Sequence, residues 1–214
     1  MIRIFLAEDH QLVRDGLRRI LAEDGEFIVT GEAGRGHAIL SGLQSVPWDV
    51  LLLDITLPEL NGMEVMTHIL QIYPERKVLI LTQHDDPLLA QRFLKAGASG
   101  YLTKNKAAAV LLQAIHKVAS GTGRFMTPEI AEFLMDRHLN KGGEQPLHAA
   151  LTDREYQVMR RIVAGESLSG IAAGMNLALS TVSTYRHRIL AKMNLNNNAE
   201  LVRYAVERGL MADL

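Results

Sequence analysis

Val50-Leu51-Leu52-Leu53-Asp54-Ile55-Thr56-Leu57-Pro58 is the stretch that decides how this chain is read. Four consecutive apolar residues suit a strand buried on both faces, as in a parallel sheet, and the run ends on one carboxylate, Asp54. Open α/β sheets bind their ligands just beyond the carboxyl ends of the strands, so chemistry is expected at Asp54. A single acid after an apolar strand is weak by itself, because such residues commonly just begin a loop. Three more strand ends carry polar groups that could converge on the same point: Glu8-Asp9, Thr82 and Lys104.

Working outward, residues 2–6 read as a first strand, followed by a helix over 11–23 with Leu12, Val13, Leu17, Ile20 and Leu21 at helical spacing. Residues 27–30 form a second short strand and 35–45 a second helix. After Asp54, Asn61-Gly62 turns the chain into a helix that stops before Pro74. Lys77–Thr82 is a fourth strand with a helix over 86–96, and residues 98–102 a fifth strand with a helix over 106–119. Five β/α repeats predict a parallel sheet covered by helices on both faces, in the flavodoxin-like order 2-1-3-4-5. That order sets strands one and three side by side, and Glu8-Asp9 beside Asp54.

The repeat breaks at Ser120-Gly121-Thr122-Gly123. Residues 127–139 look helical, with Thr127 as cap and Pro128 in the first turn. Asn140–Pro146 reads as a flexible linker, and only helices are expected from 151 onward. The division is a first domain over 1–120, a linker with one helix over 121–147, and a second domain over 148–214.

Composition bounds the function classes. The 214 residues hold 48% apolar residues and no Cys, which excludes disulfides and thiolate metal sites. No apolar run approaches the roughly 18 residues of a membrane helix. No export segment precedes the first strand, so a cytoplasmic protein without membrane partners is expected. Charge divides unevenly: residues 1–120 carry 12 Lys+Arg against 14 Asp+Glu, whereas residues 151–208 carry 8 against 5. An acidic first domain and a basic second one follow.

Three carboxylates near one point repel one another, and a hard divalent cation resolves the conflict. Carboxylates with open positions for water and phosphate suit Mg²⁺. A carboxylate can accept a phosphoryl group while a metal and a Lys screen its oxygens; Lys104 is placed for that, and the Thr82 hydroxyl to bond a phosphate oxygen. Ala7-Glu8-Asp9-His10, Leu53–Gly62, Leu81-Thr82 and Gly100-Tyr101-Leu102-Thr103-Lys104 together resemble a response-regulator receiver domain over residues 2–119. The resemblance implies Asp54 as phosphoacceptor, and Glu8, Asp9, Asp54 and the Thr56 carbonyl around Mg²⁺. It also implies Lys104 as phosphate partner, and Thr82 and Tyr101 as a switch pair. His84 and Thr56 would flank the phosphate and tune its hydrolysis. Asn105 stands where the family usually has Pro or Asp.

In the second domain Leu151-Thr152-Asp153-Arg154-Glu155 opens with a capping box. Two short helices follow, capped by Ser167 and Ser180 and joined by a tight turn, the second of them basic: a helix-turn-helix pattern. The text 151–155, 179–185, 192–193 and 200–205 resembles the LuxR-type four-helix DNA-binding domain. With the receiver this is similar to a NarL/FixJ-type regulator, and more narrowly to its GacA/UvrY branch. The resemblance implies Ser183, Thr184 and His187 facing bases, with Arg186, Arg188 and Lys192 on the DNA backbone. Ser169-Gly170 replaces a frequent Asn-Lys, and Tyr185 a frequent His. The fourth helix, over 199–208, would also pair two domains.

The expectation is a transcription factor, not an enzyme beyond phosphotransfer to itself and slow self-dephosphorylation. A sensor histidine kinase would donate phosphate to Asp54, and phosphorylation would promote dimers on two-fold promoter DNA, with RNA polymerase as a further partner. Three alternatives stay open on sequence alone: a phosphotransfer enzyme working through an Asp54 intermediate, an adaptor whose helical domain binds protein, and DNA binding that ignores phosphorylation.

Overall fold

The computed structural model describes residues 1–55, 57, 62–83, 86–106, 108–139, 146–208 and 210. They fall into two compact units, Met1–Leu139 and Asn140–Leu214. In the first, strands β1 (Ile2–Ala7), β2 (Phe27–Ala33), β3 (Val50–Leu53), β4 (Lys77–Thr82) and β5 (Gly100–Thr103) form one sheet. They alternate with helices α1 (Gln11–Asp24), α2 (Gly36–Ser45), α3 (Gly62–Ile72), α4 (Pro87–Lys95) and α5 (Ala108–Ala119). All four pairings are parallel and the order is β2-β1-β3-β4-β5, the flavodoxin-like order expected from the β/α repeat.

Each strand feeds two apolar layers because its side chains alternate across the sheet. Phe5, Leu51, Leu53, Val78, Ile80 and Tyr101 pack with α2, α3 and α4 on one face. Ile4, Leu6, Val50, Leu52, Leu79, Leu81 and Leu102 pack with α1 and α5 on the other. Strand β2 runs past the Thr30 end read from sequence, on to Ala33, with a register shift opposite Ile4 and Phe5. Gly31 permits this: a Cβ there would stand 2.6 Å from the Phe5 ring.

A sixth helix, α6 (Pro128–Leu139), belongs to the first unit, although the sequence reading placed it in an interdomain linker. The chain leading to it adds a parallel bridge to the sheet edge, Phe125 beside Gly100, with Phe125 N–H donating to the Ser99 carbonyl and Tyr101 N–H to the Phe125 carbonyl. Gly100 allows the approach, since a Cβ there would lie 3.0 Å from Phe125 Cβ. Ile130 then enters the layer that holds Phe93, Leu94 and Tyr101, with Met126 and Leu134 beside it. Residues 140–145 of the expected linker lie outside the described residues.

The second unit has a 3₁₀ turn (Leu147–Ala150) and helices α7 (Asp153–Val163), α8 (Leu168–Gly174), α9 (Leu179–Lys192) and α10 (Asn198–Glu207). Val158, Met159, Ile171, Val182, Ile189, Met193, Leu201 and Ala205 make its core. The capping box forms, with Thr152 Oγ1 accepting from Glu155 N–H and Glu155 Oε2 from Thr152 N–H. Ser167 caps α8 as expected, but α9 starts two residues earlier than read: Ala178 stands at its N-cap, and Ser180 lies inside the helix. Among the described residues no helix is long and apolar enough to cross a membrane.

Candidate phosphoacceptor site and helix-turn-helix

Backbone ladders that continue one residue past the strands assemble the acidic site. Asp54 N–H donates to the Ala7 carbonyl, Glu8 N–H to that of Ala33, and Lys104 N–H to that of Thr82. Since Ala7 pairs with Leu53 and Thr82 with Thr103, the side chains that follow leave the sheet at one end. There the Lys104 ammonium lies 2.6 Å from Glu8 Oε2 and 2.7 Å from Asp54 Oδ2. Glu8, Asp54 and Thr82 are all buried.

Burial by itself pulls the Lys104 pKa down, but its pairing with Asp54, and then with Glu8, outweighs that and holds the ammonium above its ordinary value. Lys104 is therefore charged through the physiological range, one fixed cation bridging two acids. Arg14 steadies the loop from the side by donating to the carbonyls of Glu8 and Asp9. His10 opens α1, and its Nδ1 lies 3.2 Å from Glu8 Oε1 and 2.8 Å from Asp9 Oδ1.

Two oxygens indicate what else the pocket accommodates. Among the described residues Glu8 Oε2 and Asp9 Oδ1 are buried without a well-aligned hydrogen-bond donor, although Lys104 Nζ lies 2.6 Å from the first and His10 Nδ1 2.8 Å from the second. Ligand atoms of Glu8, Asp9 and His10 also lie within 4.8 Å of one another. Buried carboxylate oxygens with spare lone pairs fit a hard divalent cation of the Mg²⁺ type. The Thr56 carbonyl and His84, both expected around this site, lie outside the described residues.

Tyr101 is fully buried, 6.3 Å ring to ring from Phe93, and belongs to the layer that Ile130 of α6 enters. The connection from the acidic site to α6 has a second strand. Thr103 Oγ1 donates to Asn105 Oδ1, and Lys106 reaches Glu129 in the first turn of α6. Sequence reasoning missed Ile130 and Glu129, because a short helix after a Gly-rich break reads as a connector.

Residues 4–116 match the family model described as the response regulator receiver domain, and residues 149–205 that of the bacterial regulatory proteins of the luxR family. This chain belongs to the NarL/FixJ-type response regulators. It is 33% identical over 210 residues to the response regulator UvrY of Escherichia coli (strain K12), covering 98% of this chain and 96% of that one. With the response regulator GacA of Pseudomonas protegens it shares 34% identity over 211 residues, covering 99% and 98%. Among solved structures, Salmonella typhimurium RcsB shares the fold at a TM-score of 0.76 and 22% identity, covering 96% of this chain and 97% of that one. The response regulator ChrA of a heme-sensing two-component system is 31% identical, with a TM-score of 0.52 and 98% coverage of both chains.

In the helix-turn-helix of this response regulator, Val182 and Ile189 of α9 and Met193 at its C-cap face the core, and Thr184, His187 and Arg188 are exposed. Ser183 and Arg186 are half-buried. Two of the cations expected on the DNA backbone are bonded within the protein. Lys192 Nζ donates to Glu155 Oε2 at 2.6 Å, and Arg186 Nε donates to Asn198 Oδ1 at 2.7 Å. Both cations thus brace α9 against α7 and α10. Glu155 is nearly buried at its carboxylate; burial raises its pKa, but Lys192 and the Thr152 N–H and hydroxyl outweigh this and hold it below the ordinary value. Neither partner was legible as such, because Glu155 and Asn198 read as helix-start residues.

Proposed function

We propose that this protein is a transcription regulator of a two-component system, switched by phosphoryl transfer to Asp54. The observation that carries the reading is Lys104 bridging Asp54 and Glu8 at the carboxyl end of a parallel sheet. A sensor histidine kinase is the donor. An Asp54 carboxylate oxygen attacks phosphorus, the P–N bond to the kinase imidazole breaks, and that nitrogen keeps the electron pair and takes a proton. Mg²⁺, when bound by Glu8, Asp9 and Asp54, supplies positive charge to the transferring phosphoryl oxygens.

The residues of this chain do the rest. Lys104 already contacts the Asp54 carboxylate and follows the added phosphoryl oxygens as a second counter-charge. The buried Thr82 hydroxyl hydrogen-bonds one of them, which draws on the space beside Tyr101. Tyr101 and Ile130 share one apolar layer, so a changed Tyr101 packing changes how α6 is seated. Because α6 leads into the second unit, it is the physical route by which phosphorylation favours dimers and promoter binding.

The helical unit binds double-stranded promoter DNA through α9. Support comes from its helix-turn-helix, its exposed Thr184, His187 and Arg188, and its match to the luxR family model. RcsB, which shares the fold, has been solved bound to the rprA promoter in the presence of the phosphomimetic BeF₃⁻. RNA polymerase is the further partner, the work is done in the cytoplasm, and no chemistry beyond self-directed phosphotransfer is assigned. The test is incubation with acetyl phosphate and Mg²⁺ followed by peptide mass mapping. One phosphoryl group on the Asp54 peptide supports the reading; a phosphoryl group elsewhere, or none, refutes it.

A further inference from the structure

We infer that α9 reads thymine, using the methyl of Thr184 and the side chain of Leu179 to recognise the 5-methyl groups of bases in the bound duplex. This rests on the DNA-binding reading above and adds which base is preferred and through which atoms.

Ser180, Thr184, His187 and Ala191 are all exposed and form the outward row of the helix at i, i+4, i+7 and i+11. Polar as that row looks in sequence, the hydroxyl of Thr184 is spent. Thr184 Oγ1 donates to the carbonyl of Ser180 at 2.9 Å, one turn back along its own helix. With the oxygen turned to the backbone, the methyl is what Thr184 offers outward. His187 is likewise turned back, its Nδ1 3.4 Å from the Ser183 carbonyl, so that Nε2 faces out.

Leu179 is the first residue of the helix and is 53% exposed, though the core of its own domain lies immediately behind Val182. The N-terminal residues of a recognition helix are those that meet base edges. By helical geometry Leu179 and Thr184 stand about 140° apart around the axis, so they bracket Ser180, Ser183 and His187. The reading face is therefore two apolar groups flanking three polar ones.

The cations of the helix point to the same base. Guanine is read best by a bidentate Arg or Lys, thymine by apolar contact with its methyl. Of the three cations of α9, Arg186 is engaged by Asn198 and Lys192 by Glu155. That leaves Arg188, on the flank of the outward row, in position for a phosphate. No long cation is left at the centre of the face, and apolar carbon stands at both of its edges.

The experiment uses the full chain with Mg²⁺ and beryllofluoride, and the duplex it selects from a random DNA pool. Each thymine is replaced singly by deoxyuridine, which removes only the methyl, and Kd is measured by fluorescence anisotropy. For the wild type, uracil at one position weakens binding by about fourfold, the worth of one buried methyl, and at a second position by a similar factor. The first penalty disappears in Thr184→Ser and persists in Thr184→Val, which keeps a methyl; the second disappears in Leu179→Ala. Selective binding that ignores uracil everywhere overturns the inference and leaves the DNA-binding reading intact. Uracil penalties that stay the same in all variants overturn the assignment to these two residues. A protein that enriches no sequence overturns both readings together.

Discussion

Replacing Lys104 with Met tests the electrostatics of the acidic site most sharply. The Lys104 side chain is 11% exposed, and the carboxylates it joins are 2% (Glu8) and 0% (Asp54) exposed. Met keeps most of the apolar stem, so the loss is of charge rather than of packing. Removing one partner of a buried ion pair costs about 3–5 kcal/mol, because the remaining charge stays buried uncompensated. Here two acids are left together, and water entering at the rim where Lys104 was part-exposed relieves some of it. A loss of about 3 kcal/mol is expected, which at a urea slope of about 2 kcal/mol/M lowers the midpoint by about 1.5 M.

Divalent cations should restore most of that loss. A ligand at about 100 times its Kd stabilises the folded state by about 2.7 kcal/mol, and in the variant no ammonium competes for Glu8. Mg²⁺ should therefore raise the midpoint of Lys104→Met more than that of the wild type. The pH dependence has a definite sign. The folded pKa of Lys104 lies above its ordinary value of 10.5, so its contribution is complete below that pH and is lost only as pH rises through the folded value. The gap between wild type and variant should hold from neutral to mildly alkaline pH. Equal midpoints without Mg²⁺, or equal rises with it, would refute the reasoning.

Ile130→Ala should destabilise the first unit by about 2–4 kcal/mol, since Ile130 is only 2% exposed and packs in a layer with Phe93 and Tyr101; a loss below about 1 kcal/mol in urea titration would show that α6 is merely perched there. In DNA titrations across salt concentrations, Arg188→Ala should flatten the slope of log Kd by about one, whereas Lys192→Met should leave the slope unchanged and weaken folding of the second unit instead. Glu155 has a depressed pKa, so its contribution is present above the ordinary 4.5 and lost as pH falls through the lower folded value; Lys192→Met should remove most of that acid-side loss when unfolding is followed by helix circular dichroism. The Asp49 carboxyl, held at about 2 chiefly by its hydrogen bond from Arg3, should titrate near 3.8 in Arg3→Ala by NMR, and the wild type should lose this contribution as pH falls from about 3.8 to about 2.

How much of this was legible in the sequence differs by residue. Glu8, Asp54, Thr82 and Lys104 were readable because each directly follows, or closes, an apolar strand, and a parallel sheet brings all such ends to one edge. The capping box of Thr152 and Glu155 was readable because it is local. The partners of Lys192 and Arg186 were not readable because a basic residue on a helix carries no mark of a partner 37 or 12 residues away. The start of α9 was misplaced because Ser180 outranks Ala178 as a cap by preference, yet the turn before it fixes the entry. The seating of α6 beside Tyr101 depends on Gly100 admitting Phe125, a contact of backbones that no periodicity announces.

The central claim is that Asp54 governs DNA binding, and selection from a random DNA pool tests it most directly. The full chain would be assayed with Mg²⁺, with and without beryllofluoride, beside Asp54→Ala. Enrichment of a two-fold motif with beryllofluoride in the wild type, and its loss in Asp54→Ala, is the predicted result. Equal enrichment in every sample would contradict the switch.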